Sequence, residues 1–141
     1  MSEIEKIFAK YSFQKRTEKP KTTIEEVENK INFSLPEDYK FYAENYIENE
    51  SFVGNEFVRL WDFNKILEIN SEFEIIENLK NTIAIGVNGS SEFIAIENLE
   101  NGEYRIVLSP FIDLDKTYHI KIGNSFTDFF ERLEKGKDWF E

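Results

Sequence analysis

Apolar positions recur along the chain with two different periods, and the change of period divides it. Over the first fifty residues the spacing is helical. Ile4, Ile7, Phe8 and Tyr11 stand at i, i+3, i+4 and i+7, the stripe of an amphipathic helix. The polar run 14–21, with Pro20 near its end, reads as a loop. Thr22 or Thr23 caps a second helix, with Glu25 and Glu26 at the positive end of its dipole and Ile24, Val27 and Ile31 as its apolar face. Leu35-Pro36-Glu37-Asp38-Tyr39 opens a third, since proline suits the first helical position, where its missing N–H would be unpaired anyway. Tyr39, Tyr42, Ala43 and Tyr46 form its buried stripe.

Beyond residue 50 the period changes to that of strands. Segments 51–53 and 56–61 flank Gly54-Asn55, a two-residue hairpin turn. Segments 82–87, 92–97 and 103–108 alternate, separated by Asn88-Gly89-Ser90-Ser91 and by a loop ending in Asn101-Gly102. A further strand over 117–122 puts Tyr118, Ile120 and Ile122 on one face and His119 and Lys121 on the other. In 62–79, Ile66, Ile69, Phe73 and Ile76 suit one or two short helices with a break near Asn70-Ser71. Asn124 or Ser125 caps a closing helix bearing Phe126, Phe129, Phe130 and Leu133, and Ser125 with Asp128 resembles a capping box.

This order, without βαβ alternation, indicates an α+β fold. The expected architecture is an antiparallel or mixed central sheet of about five or six strands, with N-terminal helices and a closing C-terminal helix packed on it. With no repeat, linker or low-complexity tract, residues 1–141 are expected to form one domain with its core at about 22–135.

Composition narrows the classes. A chain of 141 residues can bury roughly 70% of its unfolded surface, and 14 phenylalanines supply core material that a disordered acidic tail lacks. The absence of cysteine excludes disulfides, thiolate zinc sites and a cysteine nucleophile, and suits a reducing compartment. The charged N-terminus has no continuous apolar run, so neither a signal peptide nor a membrane span is expected, and the expected location is the cytoplasm. The N-x-S triplets at Asn32, Asn49 and Asn88 are then chance matches.

Net charge is −11, unevenly placed: residues 1–21 carry six basic side chains against three acids, and the remainder carries −14. So negative a body repels phosphate backbones, which argues against nucleic-acid binding, and attracts a cationic partner. The plainer alternative is that acidic surface keeps the protein soluble.

No catalytic constellation emerges. His119 is the only histidine, and it falls on the polar side of the 117–122 strand beside Lys121, so an exposed strand residue is expected there. No serine stands on a G-x-S-x-G elbow. Asp113 and Asp115 form a D-x-D pair in a loop that supplies no further ligands, so a solvated turn is expected rather than a metal site. Asn88-Gly89-Ser90-Ser91 joins two strands, unlike a phosphate-binding loop. Catalytic, cofactor-binding and metal-binding residues are all expected to be absent. Trp61 reads as core, while Trp139-Phe140 either packs back on the domain or forms an apolar patch for dimerisation. Two acidic clusters are the candidate partner-binding residues: Glu44, Glu48, Glu50 and Glu56, then Glu68 and Glu72 with Glu74 and Glu77. Solvated faces are the alternative.

Four features stand in a fixed order: Ile24-Glu25-Glu26-Val27-Glu28 followed by Phe33-Ser34-Leu35-Pro36-Glu37-Asp38-Tyr39-Lys40; Leu60-Trp61 running into Phe63-Asn64-Lys65-Ile66; Ile83-Ala84-Ile85-Gly86, a glycine turn and Phe93-Ile94-Ala95-Ile96; and Ser125-Phe126-Thr127-Asp128-Phe129-Phe130. Together they resemble the SUKH superfamily, which includes the fungal Smi/Knr cell-wall regulators and many bacterial immunity proteins. The resemblance runs from about residue 22 to 135. It departs from the family pattern at 88–91, where more glycines and a following aspartate are common and Glu92 stands instead. Residues 1–21 fall outside it.

The resemblance implies a sheet packed against helices and a protein that neutralises a cognate toxin domain, often a nuclease, by direct binding. It carries over no catalytic residue, and Pro36, Tyr39, Trp61, Gly89 and Phe126 are matched as structural positions. The expectation is an immunity protein for a cationic toxin domain, monomeric or weakly dimeric, with no cofactor and no membrane or nucleic-acid partner. The alternatives are a Smi/Knr-type regulator of a host protein and, further off, a small-ligand binder.

Overall fold

The computed structural model describes residues 2–139. Helices α1 (Glu3–Lys10), α2 (Ile24–Ile31) and α3 (Glu37–Asn45) precede a hairpin of β1 (Asn49–Val53) and β2 (Glu56–Leu60). A 3-10 turn (Phe63–Lys65) leads into α4 (Ile66–Glu72) and α5 (Ile75–Asn78), followed by β3 (Thr82–Val87), β4 (Glu92–Asn98) and β5 (Tyr104–Pro110). A second 3-10 turn (Lys116–Tyr118), β6 (Ile120–Gly123) and α6 (Phe126–Glu134) complete the order. The six strands pair in chain order, every pair antiparallel, which selects the antiparallel form of the expected α+β sheet.

Local chemistry starts the helices where the sequence places them. Ser2 with Glu5, and Thr23 with Glu26, form reciprocal capping boxes, so Thr23 and not Thr22 caps α2. Pro36 lies one residue outside α3 with an extended backbone (ψ 148°), not in its first turn. Asp38 explains why the α3 and α6 motifs occur together. Its Oδ2 accepts hydrogen bonds from the Thr127 N–H (2.9 Å) and hydroxyl (2.8 Å), so a carboxylate from one helix start satisfies a free donor at the other. Ser125 caps α6 by accepting from the Asp128 N–H.

Alternation along the strands sends two sets of side chains to opposite faces of the sheet. Val58, Leu60, Ile83, Ile85, Ile94, Ile96, Ile106 and Leu108 point to the side covered by α1, α2, α3 and α6, where Phe8, Tyr39, Tyr42, Phe126 and Phe130 fill the main core. Ala84, Phe93, Ala95 and Val107 point to the other side and meet Trp61, Ile75 and Leu79 in a smaller core under α4 and α5. The hairpin turn is wedged against the end of α6. A Cβ on Gly54 (φ +61°) would stand 2.0 Å from the Leu133 carbonyl oxygen, so both the left-handed backbone and the close approach require glycine there. Trp139 packs back, its ring stacked on Phe129 and its backbone N–H donating to Glu56 Oε2 (2.8 Å); Phe140 lies outside the described residues.

Three further expectations change. The break in 62–79 falls at Phe73–Glu74, because Asn70 stays helical and is fully buried. Over 117–122 only residues 120–122 are strand, since Asp115 caps a 3-10 turn that takes up 116–118. His119 is consequently not an exposed strand residue: its side chain is completely buried. No helix among the described residues is long and apolar enough to cross a membrane.

Candidate protein-binding surface

The structure separates the six candidate glutamates. Arg59 stands opposite Glu50 across the β1–β2 ladder, and its guanidinium donates to Glu48 Oε2 at 2.6 and 3.0 Å. That hydrogen bond raises the Arg59 pKa, so Glu48 is the neutralised member of this group, while Glu50 is exposed. Glu56 is half-buried and serves the fold by accepting the Trp139 N–H. Glu44, at the end of α3, faces a shallow cavity that it shares with Arg16, Glu18 and Lys19, so its surroundings are mixed in charge. Glu68 and Glu72 are exposed on α4, followed by exposed Glu74 and Glu77. Among the described residues, Glu50, Glu68, Glu72, Glu74 and Glu77 form no ion pair within 4 Å.

Sequence reasoning missed the apolar part of this exterior. Phe52 is 65% exposed, Phe73 46% and Ile112 92%. Strand parity held the signal for Phe52, because Val53 and Val58 face the main core and the residue paired with Phe57 must face away. Phe73 belongs to the helical pattern, but the break after it turns it outward onto Phe111, with ring centroids 4.8 Å apart.

A buried carboxylate, Glu97, and the histidine His119 lie elsewhere, on the β4–β6 side. Glu97 is 4% exposed; Arg105 and Lys116 pair with it, the latter at 3.1 Å. Burial pushes its carboxyl upward, but these two cations outweigh that and hold it below the usual range. His119 Nδ1 lies 3.9 Å from Glu97 Oε1, too far for a hydrogen bond, and neither ring nitrogen has a partner among the described residues. Burial is the main cause lowering its pKa, with Arg105 and Lys116 adding to the effect and Glu97 opposing it. Asp113 and Asp115 gather no further ligands: among the described residues no three His, Cys, Asp or Glu side chains are grouped to hold a metal ion. Asp115 instead accepts the Thr117 N–H at the start of a 3-10 turn.

Fold and surface thus define a six-stranded antiparallel α+β protein whose motif residues serve the interior and whose exterior is acidic. Pro36 positions the start of α3, Tyr39 and Phe126 are fully buried with their rings 5.3 Å apart, and Trp61 closes the smaller core. The model of the SMI1 / KNR4 family (SUKH-1) matches residues 20–132, and the chain belongs to this family. No curated protein matches it.

Proposed function

We propose that this chain is an immunity protein that binds a cognate bacterial toxin domain and neutralises it by direct contact, without catalysing a reaction. The observation that carries the reading is the family match over residues 20–132, taken with an exterior that concentrates a net charge of −11 and leaves several glutamates unpaired. Nuclease surfaces are cationic because they hold phosphate, so a partner of this charge is electrostatically suited to cover one. On this reading the protein works in the cytoplasm, as a monomer or weak homodimer, and takes no cofactor, membrane or nucleic acid.

Co-expression tests it. The toxin domain encoded beside this gene is expressed with and without the chain; growth is expected to be rescued only with it. The association rate is expected to fall about tenfold or more as salt rises from low to physiological strength. Failure of rescue with an intact, active toxin rejects the immunity role. The resemblance to the fungal Smi/Knr regulators motivates one second reading, a regulator that binds a host protein. Deleting the gene separates the two, because immunity predicts self-intoxication only while the toxin gene is intact.

A further inference from the structure

Several apolar residues that neither core fully buries lie around a single turn, whereas exposed Tyr118 and Ile120 lie apart from it near the start of β6. Phe52 and Phe57 are cross-strand partners with ring centroids 5.6 Å apart, on the side of the hairpin that faces away from the main core. Phe57 packs against the 88–91 turn so closely that a Cβ on Gly89 would stand 2.7 Å from its ring. From the other flank Phe111 donates its N–H to the Ser91 carbonyl (3.1 Å), and its ring lies on Phe93 below and Phe73 beside it. Ile112 follows, almost wholly in solvent. Two aromatic outcrops therefore adjoin one loop. The sheet is left open here because α4 and α5 cover the strands at its centre and do not extend over β1.

We propose that this surface (Phe52, Phe57, Phe73, Phe111 and Ile112 around the 88–91 turn) is the docking site for a cationic protein partner. It rests on the immunity reading and names the contact face for that toxin domain. Charge identifies the occupant. Glu50, Glu72, Glu74 and Asp113 lie beside these apolar residues in sequence, all exposed and without an ion pair within 4 Å among the described residues. A second copy would bring the same four carboxylates against themselves. Unpaired like charges across an interface disfavour it, whereas a basic partner meets apolar contact at the centre and complementary charge at the rim.

The test uses the toxin domain whose killing the unaltered chain suppresses. Phe52→Asp and Ile112→Asp alter exposed side chains, and Tyr118→Asp alters another exposed one near β6 as a control. The first two are expected to weaken the dissociation constant by at least about 30-fold, as hot-spot losses do, and the control by less than about threefold. Should Phe52→Asp disturb folding, Ile112→Asp carries the comparison alone. Folded variants that bind and rescue like the unaltered chain overturn the docking site while leaving the immunity role intact. Absence of rescue by the unaltered chain rejects that role and this proposal with it. A homodimer that Phe52→Asp dissociates, with toxin binding preserved, assigns the surface to a second copy and overturns the proposal too.

Discussion

Asn70 occupies a position on the inner face of α4 where helical spacing calls for an apolar side chain. Its buried amide takes the place of a missing strand. β2 pairs with β3 only as far as Leu60↔Gly86, with one more bond from the Trp61 N–H to the Ile85 carbonyl, before the chain leaves for α4. Beyond that point the Asn70 amide donates to the Ala84 carbonyl and accepts from its N–H, both at 2.9 Å, as a neighbouring peptide would. Asn70→Ala should therefore cost about 2–6 kcal/mol, because two buried backbone groups lose partners worth about 1–3 kcal/mol each. Denaturant unfolding would measure it, and a loss under 1 kcal/mol would show that water replaces the amide. Nothing in the sequence marked this role. Asparagine's weak helix preference pointed to a break, and only the strand's early departure makes the residue necessary. His119 was misjudged for a related reason, since a 3-10 turn cannot be seen in an alternating pattern. Its pKa is lowered in the folded state, so the unfolded chain binds the proton more readily, and the stability this contributes is complete above about pH 6.5. That stability should be lost as pH falls below 6.5 towards the folded value. Glu97, also lowered, adds a second loss below about pH 4.3, as the carboxylate that Arg105 and Lys116 hold becomes protonated. His119→Gln should flatten the upper part of a melting-temperature profile and leave the lower part unchanged.

Elements with a long, regular pattern were legible. α1, α2, α3 and α6 lie where apolar spacing and caps put them, and β3 begins and ends at the expected residues. The short elements were not, because their boundaries are set by tertiary contacts. The α4–α5 joint is the clearest case. Glu74 adopts a left-handed conformation (φ 55°) that costs a non-glycine residue about 1–2 kcal/mol, and it is exposed, so no side-chain contact offsets this. Glycine relieves the strain but adds freedom to the unfolded chain, costing about 0.5–1 kcal/mol. The balance favours Glu74→Gly by about 0.5–1 kcal/mol, seen as a higher melting temperature. A decrease would mean that Glu74 holds the joint by interactions beyond its backbone. The candidate surface was legible only in charge: the acidic runs were visible as runs, but two of the six glutamates are engaged in the fold, through Arg59 and Trp139, and the aromatic contribution depends on which strands the short helices leave bare.

At the scale of the molecule, α1 lies outside the residues matched by the family, yet it completes the same core. Phe8 is fully buried; its ring lies 5.8 Å from Tyr42, 4.8 Å from Tyr46 and 5.6 Å from Phe130, joining residues of α3 and α6. Arg16 continues the attachment by pairing with Asp62, which in turn accepts the Asn64 N–H at the start of the 3-10 turn. If the N-terminal segment is part of one cooperative unit, Phe8→Ala should destabilise the whole molecule by about 3–5 kcal/mol, the usual cost of emptying a phenylalanine site. Phe126→Ala, inside the matched region and equally buried, should cost a similar amount. Far- and near-ultraviolet circular dichroism should then report a single coincident transition for each variant, shifted to lower denaturant. An appended helix would behave differently. Phe8→Ala would split the transition into an early loss of α1 and a later one unchanged from the parent, because the remaining core would not depend on it. The crossing of aromatic contacts from α1 into both α3 and α6 favours the single transition: removing Phe8 leaves Tyr42, Tyr46 and Phe130 facing a cavity, and it also takes the stacking partner from Phe13, which itself packs on Tyr46 and Phe130.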